Sequence, residues 1–262
     1  MREGYRIKIF SRSFDLRLYR QAYGLWDGIE RDAVVRLTDR SADGYFYSML
    51  SDTDCDIAIN IDEDAFVCDP EAVNDLVGLM IENGFANIGC PDAGEGLPRS
   101  GNPKVTNPFF NILNLRLIRT KFDRSALKAY DEHYEPYYPF FLWLADTFPT
   151  LYLPARKHPD GITTVLFDNS GREICNHTWY ARFYSMPGFI VRRVQKDQGM
   201  QKERIDAVIR EVYSRRGLVQ PVAGALQKCL FAADRTLRWI IKVPQRISRW
   251  PAKIRRKLKK SR

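Results

Sequence analysis

The segment that most constrains the fold is a short apolar run that ends in three consecutive carboxylates. Residues 57–61 read Ile-Ala-Ile-Asn-Ile, and Asp62, Glu63 and Asp64 follow directly. Such a run is typical of a buried strand. Three neighbouring carboxylates at its end repel one another and are costly near a core unless a positive partner lies among them. A divalent cation such as Mg2+ or Mn2+ can supply that positive charge, because it takes oxygen ligands. It binds through one or two carboxylates together with the phosphates of a substrate. The segment therefore predicts a metal site.

A polar turn is the competing interpretation of the same segment. Asp69 directly before Pro70 has the signature of a helix N-cap. That interpretation accounts for Asp69 but leaves Asp62 and Asp64 unexplained. We therefore predict both features, a cap at Asp69 and a metal site at the two preceding aspartates.

Strand-like and helix-like segments alternate along the chain. This alternation predicts an α/β fold with a doubly wound, mostly parallel sheet flanked by helices. Ligands of such sheets bind at the carboxyl ends of the strands, where Asp62 and Asp64 are expected. We predict strands at 5–10, 33–37, 55–61, 85–90, 109–118, 151–154, 163–167 and 173–175, and helices at 14–29, after Ser41, from Pro70 to Gly84, at 138–148 and at 203–216.

Residues 91–108, between two predicted strands, are rich in Gly, Pro and polar residues. A loop of this length is usually functional. We interpret it as a lid or an acceptor-binding loop, with a loop of no function as the alternative.

The cysteines and the hydropathy indicate a cytoplasmic protein. The five cysteines contain no C-x-x-C pair, which favours buried thiols in a reducing compartment over a disulfide framework. We find no N-terminal apolar segment typical of a signal peptide and no run of 18 apolar residues.

The net charge of +9 is concentrated at one end of the chain. Residues 221–262 contain 13 Lys and Arg and a single acid, Asp234, whereas residues 1–220 contain 28 Lys and Arg and 31 Asp and Glu. The acidic balance of the larger part argues against a basic nucleic-acid cleft there. We predict a main domain at 1–220 and a basic helical tail at 221–262.

The tail combines basic and large apolar residues at helical spacing. This pattern predicts amphipathic helices on an anionic membrane surface, peripheral on the inner face of the cell membrane. A solvated helix packed on the main domain and an RNA-binding segment are the alternatives. The apolar members are Leu226, Leu230, Phe231, Leu237, Trp239, Ile240, Ile241, Val243, Ile247, Trp250, Ile254 and Leu258, with Pro244 and Pro251 between them.

A second group of polar and aromatic residues lies at 175–182, Cys-Asn-His-Thr-Trp-Tyr-Ala-Arg. His177 is a candidate metal ligand, because an imidazole can complete the coordination of Mn2+. Arg182 is a candidate diphosphate contact, because its planar fork fits phosphate oxygens. A structural histidine is the alternative for His177, and a surface or carboxylate-paired arginine is the alternative for Arg182.

Two further carboxylates are candidate catalytic groups. Asp160 lies in a turn sequence and either binds acceptor hydroxyls or initiates the turn. Asp146 lies in the aromatic helix 140–148, where burial would raise its pKa and suit it to act as a base. Bonding to backbone at the helix end before Pro149 is the equal alternative for Asp146.

The order of these features resembles a GT-A nucleotide-sugar glycosyltransferase over about residues 5–185. The resemblance is carried by the Asp-x-Asp pair after a core strand, the strand 108–114 and the late His177. The segment 107–115 also resembles a strand of the family 8 retaining enzymes. It departs from that family because no Gly follows Asn111 and the late motif lacks Gly-x-x-Lys. We therefore assign no family within the superfamily and no stereochemical outcome.

The resemblance implies a role for each candidate residue. Asp64 would contact the metal directly, Asp62 would contact ribose or metal, and His177 would be the third protein ligand. If the enzyme inverts, Asp146 or Asp160 would take the acceptor proton; if it retains, the leaving phosphate would. Residues that would bind the nucleotide are Phe10, Ser11, Arg12, Asp39, Asp62 and Arg182.

The implied function is metal-dependent transfer of a sugar, with Mn2+ or Mg2+ as cofactor. The donor would be a nucleotide sugar and the acceptor a glycan or a lipid-linked molecule, in bacterial surface polysaccharide or lipopolysaccharide synthesis. Two alternatives stay open: a non-catalytic, membrane-associated binding protein with a degenerate transferase fold, and a metal-dependent nucleotidyltransferase or phosphohydrolase.

Overall fold

The structure is a computed structural model of the chain, and it describes residues 4–38, 44–98, 101–130, 135–181, 184, 201–234 and 237. The strands are β1 (Ile7–Arg12), β2 (Ala33–Leu37), β3 (Ile57–Ile61), β4 (Ala65–Val67), β5 (Asn87–Pro91), β6 (Thr106–Asn114), β7 (Thr150–Tyr152), β8 (Ala155–Lys157), β9 (Thr164–Phe167) and β10 (Glu173–His177). The helices are α1 (Leu16–Tyr23), α2 (Gly44–Ser51), α3 (Pro70–Asn83), α4 (Leu115–Arg119), α5 (Tyr138–Thr147) and α6 (Gln201–Arg215), with a 3-10 turn at Ala126–Ala129.

Six strands form the main sheet in the order β2-β1-β3-β6-β5-β7. The pairs β1–β2, β1–β3 and β5–β7 are parallel, and β6 runs antiparallel to both of its neighbours. The five other strands therefore share one direction, and their carboxyl ends lie along one edge.

Hydrophobic cores cover both faces of this sheet. On one face, side chains of α1, α3 and α6 pack against strand residues such as Ile59 and Ile112. On the other face, α2, α4 and α5 pack against residues such as Ala58 and Leu113. This arrangement confirms the predicted doubly wound α/β architecture, because alternate residues of one strand enter opposite cores.

A second sheet of four strands has the order β4-β10-β9-β8. Strands β9 and β10 fall where the sequence predicts strands, but the three-residue strands β4 and β8 were not predicted. Strand β4 begins directly after Asp64, and its antiparallel partner β10 ends at His177. The small sheet therefore joins the two halves of the predicted site.

Local signals place α3 where the sequence predicts it. The Asp69 carboxylate accepts hydrogen bonds from the backbone N–H groups of Glu71 and Ala72, at 2.9 and 3.0 Å. Pro70 occupies the first turn, and Gly84 ends the helix at φ 67°, a left-handed conformation that glycine adopts without strain. The N-cap interpretation of Asp69 is confirmed.

The strand predicted at 109–118 has different bounds. Strand β6 begins earlier, at Thr106, and ends at Asn114. The Asn114 side chain accepts a hydrogen bond from the N–H of Leu117 at 3.0 Å and so caps α4. The apolar residues after Asn114 continue a helix rather than a strand, because an N-cap side chain outweighs the strand propensity of a short apolar run.

The predicted tail is described only in part. Residues 225–234 are helical, and Asp234 lies 3.5 Å from Arg36 of the main domain. Leu226 and Leu230 on this helix are 76% and 52% exposed, and Leu237 is 59% exposed. Residues 238–262 lie outside the described part of the chain. None of the described helices is both long and apolar enough to cross a bilayer.

Replacing Asp69 by alanine should lower the free energy of unfolding by about 1 kcal/mol, because two amides at the start of α3 lose their acceptor. Urea unfolding followed by circular dichroism measures the change. Asp69→Asn is the matched control and should lose less, since its amide oxygen still accepts. Equal losses in the two variants would contradict the capping role.

Candidate metal site

The turn between β3 and β4 holds the three consecutive carboxylates. Asp62 N–H donates to the Phe109 carbonyl at 2.9 Å, which fixes the turn against β6. Ala65 N–H donates to the Asp62 carbonyl at 3.0 Å and closes the turn. Asp62, Glu63 and Asp64 are all buried, with 4–6% of each residue exposed. The predicted position at the carboxyl edge of the main sheet is confirmed.

Strand pairing in the small sheet brings His177 to this turn. His177 lies opposite Ala65 in the β4–β10 register, one residue from Asp64. Thr178 N–H donates to the Asp64 carbonyl at 2.9 Å. His177 Nε2 lies 3.3 Å from Asp64 Oδ1. The structure therefore brings together residues that are more than 110 positions apart in the sequence.

The donor set fits a divalent cation. One ligand atom from each of Asp62, Asp64 and His177 lies within 4.8 Å of the others. Within the described part of the chain, Asp62 Oδ1 and His177 Nδ1 are buried without a hydrogen-bond partner. Buried polar atoms are normally paired. Two carboxylates and an imidazole suit Mn2+, and the carboxylates also suit Mg2+.

Arg12 supplies positive charge beside the same turn. Its NH2 group donates to Asp62 Oδ2 at 3.0 Å, and its guanidinium lies 5.3 Å from the centre of the Tyr45 ring. Burial raises the pKa of Asp62, although Arg12 opposes this shift. Burial, the largest single influence, opposes ionisation of Asp64, but His177, Arg12 and the hydrogen bonds to the carboxylate together hold the pKa of Asp64 below its usual value. Arg12 thus provides part of the positive charge that the carboxylates require.

Glu63 points to a different part of the fold. Its Oε2 accepts hydrogen bonds from Ser13 Oγ at 3.0 Å, Phe14 N–H at 2.8 Å and Asp15 N–H at 2.6 Å. Burial, the largest influence, raises the pKa of Glu63 to about 8. Glu63 therefore ties the carboxylate turn to the turn between β1 and α1. No feature of the sequence assigns Glu63 a role, because this contact requires the adjacency of β1 and β3.

The predicted nucleotide contacts are only partly grouped at the site. Arg12 reaches Asp62, as described. Phe10 is buried in the core between the sheet and α2, and Ser11 is buried completely, so neither side chain lines an open surface. Core packing explains the burial of Phe10, because it alternates with Ile9 along β1. Asp39 and Arg182 lie outside the described residues.

Asp160 is engaged in a turn. Its Oδ1 accepts from the N–H groups of Ile162 and Thr163 at 2.9 and 2.8 Å, and its Oδ2 accepts from Thr163 Oγ1 and from Arg204 at 3.0 Å. Burial opposes ionisation, but these hydrogen bonds outweigh it and lower the pKa of Asp160 to about 2. The turn interpretation accounts for the contacts with Ile162 and Thr163, whereas the Arg204 contact comes from α6.

Asp146 makes its described contacts away from the carboxylate turn. It is exposed in the last turn of α5, where Tyr130 OH donates to it at 3.2 Å and Lys104 Nζ lies 3.6 Å away. Just beyond, the Pro149 carbonyl accepts from the N–H of Ala86, before β5 begins. The structure therefore does not bring Asp146 to the carboxylate turn, and the expected burial of its carboxylate is wrong.

Comparisons with known proteins give distant structural similarities. No protein-family model and no curated protein matches the sequence. Similar solved structures include a glycosyltransferase involved in the glycosylation of the major capsid of PBCV-1, with 11% identity, TM-score 0.36, and coverage of 56% of this chain and 79% of that one. A cytidylyltransferase from Leptospira borgpetersenii serovar Hardjo-bovis has 12% identity and TM-score 0.37, with 84% and 98% coverage.

A mannosyltransferase from Pyrobaculum calidifontis was solved in complex with GDP-Man and Mn2+. It has 8% identity and TM-score 0.38, and the match covers 89% of this chain and 81% of that one. The structural neighbours thus include glycosyltransferases and a cytidylyltransferase. At these TM-scores, none of these likenesses assigns a family or an activity to the chain.

Asp160→Asn should lower the free energy of unfolding by about 2 kcal/mol near neutral pH. The folded pKa of Asp160 is depressed to about 2, so its stabilisation is fully present above the unfolded value near 4 and is lost as the pH falls through 2. The difference between wild type and variant should therefore be constant above pH 4 and shrink between pH 4 and 2. Urea unfolding at several pH values measures it, and a pH-independent difference would contradict the assignment.

Proposed function

We propose that the protein is a metal-dependent glycosyltransferase that uses a nucleotide-sugar donor. The observation that carries this proposal is the convergence of Asp62, Asp64 and His177 at the carboxyl edge of a doubly wound sheet. Ligands of open α/β sheets bind at this edge. The proposed cofactor is Mn2+ or Mg2+, which binds through a few carboxylates together with substrate phosphates.

The protein groups at the site suit a diphosphate. Asp62, Asp64 and His177 would hold the cation, which stabilises negative charge on the departing nucleoside diphosphate. Arg12 lies beside Asp62 and adds a second positive group at the same edge. Glu63 fixes the turn between β1 and α1 against this edge, and so holds Arg12 near Asp62. Together these residues bind and orient a donor whose phosphates carry the charge.

The proposal assigns the acceptor proton to neither predicted catalytic carboxylate. The described contacts of Asp146 are with Tyr130 and Lys104, not with the residues of the carboxylate turn. Asp160 is occupied by four protein donors, and its pKa of about 2 makes it a weak base. A reaction in which the leaving phosphate takes the proton needs no such base, and the geometry supports that course better.

The acceptor is proposed to be a glycan or a lipid-linked molecule beside an anionic membrane. Leu226, Leu230 and Leu237 are spaced by four and seven residues and are all exposed. They belong to a segment with 13 basic residues and one acid. Apolar side chains next to clustered Lys and Arg favour an anionic bilayer surface. Bacterial surface polysaccharide or lipopolysaccharide synthesis is the setting that this placement favours.

Replacing Asp64 by asparagine should reduce Mn2+-dependent release of nucleoside diphosphate by about 100-fold or more, because one charged ligand of the cation is lost. Thermal shift with Mn2+ and a panel of nucleotide sugars first identifies the donor that stabilises the protein. Release of nucleoside diphosphate is then measured with Mn2+ and with EDTA.

Asp146→Asn is the matched control and should keep its activity, since the described contacts of Asp146 are with Tyr130 and Lys104 and not with the carboxylate turn. Full activity of Asp64→Asn, or of the wild type in EDTA, would rule out the metal site. Stabilisation by nucleoside triphosphates with sugar phosphates, but by no nucleotide sugar, would instead favour the nucleotidyltransferase. No stabilising nucleotide of any kind would favour a binding protein.

Replacing Leu226 and Leu230 together by glutamine should reduce binding of the full chain to phosphatidylglycerol vesicles severalfold, because the apolar part of the surface is lost. Co-sedimentation measures the pelleted fraction. Leu79→Gln, at an exposed leucine of α3, is the matched control and should pellet like wild type. Equal pelleting of all three proteins would argue against this surface, and so would equal binding to uncharged phosphatidylcholine vesicles.

A further inference from the structure

Two aromatic rings enclose the imidazole of His177. The Phe109 ring is stacked on it, with centroids 4.4 Å apart and an interplanar angle of 13°. The Trp179 ring lies 4.4 Å from it at 46°. His177 is 5% exposed, so these rings restrict how the imidazole can turn. The position of Trp179 therefore affects the direction in which Nε2 faces Asp64.

The backbone that carries Trp179 is strained. Trp179 and the following Tyr180 both have φ of 59°, in the left-handed region. Residues with bulky side chains rarely adopt this conformation, which glycine adopts freely. Strained backbone persists only where the surrounding structure holds it, and it is concentrated at functional sites. Two strained aromatic residues directly after Thr178 thus require strong anchors.

Arg204 of α6 is the main anchor of this strained segment. Its guanidinium donates to the carbonyl oxygens of Thr178 and Trp179, the latter at 3.4 Å. The same guanidinium donates to Asp160 Oδ2 at 3.0 Å and to Thr163 Oγ1 at 2.7 Å, so it is itself fixed. Its side chain is only 12% exposed. Arg204 therefore joins α6 and the Asp160 turn to the chain directly after His177.

Other bonds complete the hold on the strained segment. The Trp179 indole N–H donates to Thr164 Oγ1 at 2.8 Å, which keeps its ring against the imidazole. Thr164 Oγ1 in turn donates to the Gly96 carbonyl at 2.6 Å. On the other side, the N–H of Thr178 is bound to the Asp64 carbonyl. Hydrogen bonds to the carboxylate turn, to β9 and to α6 thus hold the strained turn in place.

We propose that Arg204 is a positioning residue, which sets the orientation of His177 by holding the strained turn at Trp179 and Tyr180. It acts through Trp179 and touches none of the three candidate metal ligands in the described contacts. The proposal rests on the metal site of the proposed function. It also assigns Asp160 a role, as the carboxylate that fixes the Arg204 guanidinium.

The first test compares two arginines of the same helix. Arg204→Met removes the donors to Thr178 and Trp179. Arg215→Met removes a guanidinium that donates to Glu173 at 2.7 and 2.9 Å, away from the strained turn. Outer partners of metal ligands typically change metal affinity by about 10- to 100-fold. Calorimetric titration of the full chain with Mn2+ alone should show such a loss for Arg204→Met and unchanged affinity for Arg215→Met.

The second test needs no metal. Long-range 1H–15N spectra of the metal-free protein report the three histidine rings, and His177→Gln identifies the signals of His177. Arg204→Met should move those signals, because the imidazole is released from its orientation, whereas Arg215→Met should leave them in place. If Arg204→Met does not fold, Arg204→Lys takes its place. Lysine keeps the charge but not the planar fork, and it should give a smaller shift in the same direction.

The two tests separate the inference from the function on which it rests. Loss of Mn2+ affinity and a moved His177 signal in Arg204→Met would support the positioning role. Unchanged His177 signals would overturn it, whatever the affinities. Wild-type protein that binds no Mn2+ would overturn the metal site and its positioning by Arg204 together, even if the His177 signals move.

Discussion

The candidate site depends on the pairing of β4 with β10. This short antiparallel ladder places His177 opposite Ala65, and the N–H of Thr178 then binds the carbonyl of Asp64. Without that pairing, the carboxylate turn would have no imidazole beside it, and the segment after His177 would lose its hydrogen bond to the Asp64 carbonyl. The small sheet therefore determines where the carboxylate turn and His177 meet.

The parts of the fold that the sequence predicts well are those with local signals. Helix α3 has a cap at Asp69, a proline at its start and a glycine at its end, and each acts within a few residues. The strand before Asp62 is likewise predicted by its own apolar run. Strand β4 has only three residues, which is too short for any periodicity to appear. Asn114 both ends β6 and caps α4 with its side chain, and the apolar residues on either side of it do not mark this change from strand to helix.

The candidate site was predictable in its residues but not in its contacts. The identities of Asp62, Asp64 and His177 follow from residue types and from the resemblance to a known superfamily. The contact of Arg12 with Asp62 depends on the parallel pairing of β1 with β3, and that of Arg204 with Trp179 depends on where α6 packs. These are non-local contacts, and a single sequence contains no periodic or spacing signal for them.

The three consecutive carboxylates repel one another, and each of them faces a different partner in the fold. Asp62 faces Arg12, Glu63 accepts from the amides of the turn before α1, and Asp64 faces His177. Each carboxylate thus obtains its own donor, although burial still works against the charge on all three. The atoms left without partners, Asp62 Oδ1 and His177 Nδ1, belong to two of the three residues that suit a cation. The protein therefore neutralises part of the negative charge itself, and the remainder is what a divalent cation would balance.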